Sequence, residues 1–162
     1  MGSRGSVIPF FRQLIRDGIS TLPITDRRMT RFWITIDEAV DLVFKALEES
    51  RGGETYISKI PSFKIVDLAK AIVPDGSIEE VGIREGEKLH EIMITEYDSF
   101  HTREYENHYI VYPGSYEWWS SDRITPGGAP VPEFFRYSSD ENPDWLDVEQ
   151  IRKRLETITH GH

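Results

Sequence analysis

Between Ile83 and Glu91 the chain places Arg84, Gly86, Glu87, Lys88, His90 and Glu91, a concentration of groups able to hold anions and hydroxyls. A guanidinium can grip two phosphate oxygens in parallel, and a glycine lets backbone approach a ligand closely. A carboxylate three positions after the arginine can accept hydrogen bonds from a ribose diol, if a helical turn brings both to one face. The pairing suits a sugar nucleotide. The same spacing also fits a solvated, charged face at the mouth of a surface helix.

The elements around this cluster must come from a chain of 162 residues with 38% hydrophobic content and four tryptophans. That is enough for one domain with a real core, or for part of a larger one. The absence of cysteine excludes disulfides, thiolate catalysis and Cys-based zinc sites, and is compatible with a cytoplasmic location. No apolar run approaches the roughly 20 residues that span a bilayer, so the chain reads as soluble, with no membrane partner. A net charge of −9 argues against nucleic acid, whose binding needs a basic surface. Residues 1–33 run the other way, with six arginines against Asp17 and Asp26. A basic stretch on an acidic protein fits a small anionic ligand, although Arg12 and Arg16 read as a surface pair one helical turn apart.

Periodicity gives alternating helices and strands. Ser6 reads as an N-cap for a helix through Phe10, Phe11, Leu14 and Ile15, stopped at Gly18. Leu22 to Thr25 and Arg31 to Ile34 read as extended. Thr35 and Glu38 form a capping box for a long helix with Ile36, Ala39, Val40, Val43 and Leu47 on one face. Glu54 to Ile60 reads as a strand, Pro61 and Ser62 as the opening of a helix through Ile72, and Ile78 to Ile83 as a strand. A short helix is expected over Lys88 to Ile94, and a strand over Tyr109 to Tyr112. Residues 113–144, with Trp118, Trp119, Phe134 and Phe135, read as an irregular wrap pinned by aromatics. Asp147 and Gln150 make a second capping box, with Leu146 and Ile151 as a hydrophobic staple, for a last helix through Leu155. The expected division is 1–112 for the binding part with the last strand and helix units of a larger sheet, and 113–162 for the wrap and final helix.

Several signatures are missing. A dinucleotide-binding fold needs a glycine-rich turn between its first strand and helix, yet no Gly-x-Gly occurs in the sequence. No tyrosine has a lysine four positions later. His90 and Glu91 are not followed by the second histidine of a zinc-protease helix, and no metal site is expected. The sequence shows binding chemistry without reaction chemistry.

The run Gly2, Ser3, Arg4, Gly5, Ser6, Val7, Ile8, Pro9, Phe10, Phe11 resembles the segment that follows the cofactor-binding core in sugar-nucleotide members of the extended short-chain dehydrogenase family. Leu22, Pro23, Ile24, Thr25, Asp26 and Met29, Thr30, Arg31, Phe32, Trp33, Ile34, Thr35 resemble the next two blocks. Ile83 to Glu91 resembles the late arginine block. Together they look most like UDP-N-acetylglucosamine 4,6-dehydratases of the C5-inverting type, which open pseudaminic acid synthesis. The departure is that only the carboxy-terminal half of the family pattern is covered. Its glycine-rich turn and catalytic residues belong upstream, and Glu85 stands where the family usually has proline.

The resemblance implies an α/β fold: an incomplete Rossmann-type sheet plus a small mixed α+β substrate-binding domain. It also implies NADP in the complete enzyme, a UDP-sugar substrate and a homo-oligomer. Residue by residue, it implies Arg31 and Arg84 on the UDP diphosphate and Glu87 on the ribose. Leu22 and Ile24 would lie along the uracil, with Arg4, Ser6 and Val7 on the approach to the sugar or phosphate. No catalytic residue is carried over. A UDP-sugar epimerase, a retaining dehydratase and a non-catalytic half-domain that needs a partner chain remain as alternatives.

Overall fold

The computed structural model describes residues 7–83, 85–114 and 127–159. Helix α1 (Val7–Arg16) buries Ile8 and Phe11 and tolerates Pro9 because first-turn amides have no partner within the helix. It ends at Gly18, whose φ of 79° suits a residue without Cβ. Strands β1 (Thr21–Ile24) and β2 (Thr30–Phe32) follow. Helix α2 (Ile36–Glu49) opens on the expected capping box: Glu38 N–H donates to Thr35 Oγ1 at 3.2 Å, and Thr35 N–H donates to Glu38 Oε2 at 2.7 Å. Next come β3 (Thr55–Ser58), β4 (Ser62–Lys64), α3 (Ile65–Ile72) and β5 (Ser77–Glu80). The remainder is mostly short strands: β6 (Ile92–Ile94), a 3-10 turn at Asp98–His101, β7 (Thr102–Glu104) and β8 (His108–Val111). It closes with β9 (Ala129–Pro130), β10 (Tyr137–Ser138) and helix α4 (Val148–Thr159).

β1 and β5 pair in parallel, with Leu22 opposite Ile78 and Ile24 opposite Glu80. β2 and β4 are antiparallel, with Arg31 opposite Phe63. β10 pairs with β6, and β3, β8, β7 and β9 form a four-stranded sheet in that order. One core gathers Ile8, Phe11, Leu22, Ile24, Trp33, Phe63, Leu68, Ile151 and Leu155. A second gathers Phe32, Ile57, Ile60, Ile94, Tyr109 and Tyr137. Successive side chains of a strand point to opposite faces, so Thr30 and Phe32 are buried while Arg31 points away.

Two expectations change, and one strand was not expected. Ser62 to Lys64 is a strand, not the first turn of a helix, because its backbone pairs with β2 and Ser62 N–H and C=O bond to Asp144 and Leu146, each at 2.8 Å. Lys88 to Ile94 is not a helix. The Lys88 and Leu89 carbonyls accept hydrogen bonds from Arg31, and Ile92 to Ile94 is bonded to β10, so this backbone is not available for helical bonding. Strand β7 carries no sequence signal of its own, and it exists because β8 and β9 flank it. The capping box of α4 matches expectation, with reciprocal Asp147 and Gln150 bonds of 2.8 Å, and Leu146 and Ile151 share one core. Of the aromatics expected to pin the wrap, Phe134 and Phe135 are described and Trp118 and Trp119 lie outside the described residues.

Candidate functional site

An open cleft of about 800 Å³ is walled by Val7 and Phe10 of α1, Pro23 and Ile24 of β1, Arg31 and Phe32 of β2, and Ile92 and Met93 of β6. Glu87 and Glu91, from the segment between β5 and β6, complete its polar side. A largely apolar wall with a few convergent polar groups is the usual form of a small-molecule site.

Arg31 organises the polar side. Its Nη1 donates to the Thr30 and Leu89 carbonyls at 2.7 and 3.1 Å, and its Nη2 donates to the Lys88 carbonyl at 2.9 Å. Nε stands 3.3 Å from Glu91 Oε1. The guanidinium therefore fixes the segment that carries Glu87 while it remains on the cleft wall.

Behind Arg31, a buried polar network holds the same segment from the other side. Thr30 Oγ1 is hydrogen-bonded to His90 Nδ1 at 2.8 Å and to Ser139 Oγ at 2.7 Å. Ser139 exchanges bonds with Glu91: Glu91 N–H donates to Ser139 Oγ at 2.9 Å, and Ser139 N–H donates to the Glu91 carbonyl at 2.8 Å. His90 Nε2 lies 3.9 Å from Asp140 Oδ2. Burial alone would raise the Asp140 carboxyl. The Ser138 hydroxyl, its own backbone amide and the charges of His90 and Arg136 outweigh burial and hold it below the usual carboxylate range. The sequence assigned His90 and Glu91 no role and did not single out Ser139. The separation of 109 positions from Thr30 to Ser139 leaves no spacing to read.

The structure brings together Val7, Ile24, Arg31 and Glu87 on the cleft. Glu87 is exposed, and Thr25 Oγ1 reaches its Oε1 only at 3.5 Å. Leu22 and Ile24, 1% and 2% exposed, both lie in the core, with Ile24 also bordering the cleft beside the more exposed Pro23 and Thr25. Arg4, Ser6 and Arg84 lie outside the described residues. Glu87 follows a turn at Glu85 and Gly86 and is not on a helix, so the helical turn invoked for it is not formed.

Among the described residues, arginines of the basic stretch at the amino end go to separate partners. Arg12 Nη2 donates to the Leu155 carbonyl at 3.1 Å, and Arg27 lies 3.6 Å from Glu80. Arg28 holds Asp26 with bonds of 3.0 and 2.7 Å. That fork, with the Arg28 amide, lowers the Asp26 carboxyl to about 2. Among the described lining residues, Arg31 is the cation of the cleft and Glu87 and Glu91 are its carboxylates.

Gly82 and Gly86 follow β5 with positive φ, but the chain continues into turns and β6, not into a helix. The strand, glycine turn and helix N-terminus that would cradle a pyrophosphate are not combined there. No group of three or more potential metal ligands occurs among the described residues, and no helix among them is long and apolar enough to cross a membrane.

Comparison with known proteins agrees with this architecture. The family model for polysaccharide biosynthesis proteins matches residues 1–113. A UDP-N-acetylglucosamine 4,6-dehydratase (inverting) from Campylobacter jejuni is 47% identical over 99% of this chain and 48% of its own length. A UDP-glucose 4-epimerase from Rickettsia akari is 32% identical with the same coverage of both. The solved structure of Pen from Bacillus thuringiensis superposes with a TM-score of 0.79 at 29% identity, over 98% of this chain and 46% of that one. The chain spans about half the length of the relatives it matches. With its parallel β1–β5 pair and mixed smaller sheets, it is part of an extended short-chain dehydrogenase fold and belongs to the polysaccharide biosynthesis protein family.

Proposed function

We propose that the cleft binds the UDP portion of a UDP-sugar, and that the chain is the substrate-binding half of a UDP-N-acetylglucosamine 4,6-dehydratase of the inverting type. The observation that carries this reading is the 47% identity to the Campylobacter jejuni enzyme along nearly the whole chain. The lower 32% identity to the epimerase favours the dehydratase. Support from geometry is the joint presence of Ile24, Arg31 and Glu87 on one cleft.

In this reading Ile24 and the backbone of the Leu22 strand lie along the uracil, and Glu87 accepts from the ribose diol. Arg31 and Arg84 hold the diphosphate, and Val7, with Arg4 and Ser6, lines the approach to the sugar. Arg31 keeps its carbonyl bonds and turns its Nε edge from Glu91 to a phosphate oxygen. Anchoring the nonreacting UDP fixes the sugar for reaction, and such positioning can contribute several kcal/mol, on the order of 7–11 at most, to lowering a barrier. The complete enzyme is a cytoplasmic, homo-oligomeric lyase at the entry to pseudaminic acid synthesis. Its NADP is assigned to the half that this chain does not match.

Calorimetric titration of the chain with UDP tests the assignment. Glu87→Ala and Arg84→Ala are each expected to weaken binding about tenfold, equivalent to about 1.4 kcal/mol. Unchanged affinity in both variants would overturn the proposed roles.

A further inference from the structure

Glu87 reaches the cleft from a segment, residues 87–91, that belongs to no helix or strand. The course of such a segment is set by what holds its backbone. On one side β2 holds it: Arg31 binds the Lys88 and Leu89 carbonyls, and Thr30 N–H donates to the Leu89 carbonyl at 3.1 Å. On the other side stands Ser139, the residue after β10. Its N–H donates to the Glu91 carbonyl and its Oγ accepts from Glu91 N–H.

The side chains behind this clamp form one directed chain. The Asp140 carboxylate, 3.9 Å from His90 Nε2, favours a proton on that nitrogen, which leaves Nδ1 to accept. Thr30 Oγ1, 2.8 Å from Nδ1, therefore donates to His90. With its hydrogen committed, Thr30 Oγ1 accepts from the Ser139 hydroxyl at 2.7 Å, and Ser139 Oγ accepts from Glu91 N–H at 2.9 Å. Each hydroxyl donates once and accepts once, so the chain is satisfied in this one arrangement. Thr30 and Ser139 are 4% and 0% exposed, and an unpaired polar group is costly at such depth. Removing the Ser139 hydroxyl strands the Glu91 amide, and the segment that carries Glu87 must shift to find it another partner.

The match to the family model covers residues 1–113, so Ser139 and Asp140 act on the cleft from outside the matched residues. We propose that Ser139 is a positioning residue of the nucleotide cleft: through the Glu91 amide, and with Thr30 and His90 fixing its hydroxyl, it sets where Glu87 stands against the ribose. The inference rests on the reading of the cleft as a UDP site.

Calorimetric titration of the full 162-residue chain with UDP tests it, at a temperature where circular dichroism shows each variant folded. Ser139→Ala is expected to weaken UDP binding about fivefold, the scale of one lost hydrogen bond. In a Glu87→Ala background the same substitution is expected to cost less than about twofold, because the group it positions is gone. A purely structural serine would lower the melting temperature and leave the affinity of the folded chain unchanged, and that result overturns the proposal. An equal loss in both backgrounds also overturns it. Where Ser139→Ala does not fold, the half-buried His90 decides. His90→Ala is expected to weaken UDP binding, and His90→Asn, whose side-chain oxygen can accept from Thr30 as Nδ1 does, is expected to restore it. Unchanged affinity in His90→Ala, or no recovery in His90→Asn, overturns the relay. Absence of UDP binding by the wild-type chain overturns the nucleotide reading and this inference with it, whereas wild-type binding that Ser139→Ala leaves intact overturns this inference alone.

Discussion

Arg31 Nε and Glu91 Oε1 face each other at 3.3 Å on the cleft wall, while the rest of the same guanidinium holds the Lys88 and Leu89 carbonyls. One side chain thus anchors the segment that carries Glu87 and presents a cationic edge already occupied by a carboxylate. In the proposed UDP complex, a diphosphate would compete with Glu91 for that edge.

The arrangement predicts an effect on binding for one partner and on stability for the other. Glu91→Gln removes a negative charge from the cleft and is expected to tighten UDP binding by about two- to fivefold, the scale of a partly exposed ion pair. Arg31→Ala leaves the Thr30, Lys88 and Leu89 carbonyls without their charge-assisted donor and is expected to lower stability by about 1–3 kcal/mol in urea unfolding. Weaker UDP binding by the Glu91 variant would instead make Glu91 a ligand.

Asp26 sets part of the acid limit of stability. The Arg28 side chain and amide lower its carboxyl from 3.8 to about 2. A depressed carboxylate contributes stability that is complete above the unfolded value and is lost as pH falls through the folded one. Wild-type melting temperature should therefore fall between about pH 4 and pH 2, and Asp26→Asn should flatten that interval. An unchanged slope in the variant would show that other carboxylates carry it.

His108 is 7% exposed and lies between the rings of Tyr105 and Tyr56, nearly parallel to both at centroid distances of 4.8 and 5.9 Å. Its Nε2 has no hydrogen-bond partner among the described residues. Burial, reinforced by Lys45 and Lys59 against the opposing pull of Glu49, lowers its pKa from 6.5. The neutral ring is the form that fits, so its contribution is full above about pH 6.5 and is lost as pH falls through the lowered value. His108→Phe keeps the stack without the orphan nitrogen. The variant is expected to be at least as stable at neutral pH and to lose this mildly acidic dependence, as checked by melting curves at stepped pH.

Tyr137 closes the second core around Ile60, which also lines the cleft. Its hydroxyl accepts from Ile60 N–H at 2.9 Å and donates to the Ile60 carbonyl at 3.0 Å. Tyr137→Phe leaves a buried amide unpaired, for a loss of about 1–3 kcal/mol. Chemical denaturation checks the magnitude, and a change below a few tenths would show that water replaces the hydroxyl.

The sequence by itself determined what local chemistry controls. Both capping boxes, the stop at Gly18 and the amphipathic stripe of α2 follow from residues within a few positions of each other, so they were legible without a fold. The residues that match the family blocks were equally legible, including Arg31 and Glu87, because type and order suffice for a resemblance. Tertiary structure alone decided the remainder. The Lys88 to Ile94 segment has helix-compatible residues, but its carbonyls go to Arg31 and its last residues to β10. His90 gained its place through Thr30 and the distant Ser139 and Asp140, partners that no spacing rule connects. Periodicity drew the apolar stripe of α2, yet only the fold showed that it stays exposed among the described residues, with Leu47 at 74%, because burial depends on which surfaces meet in space.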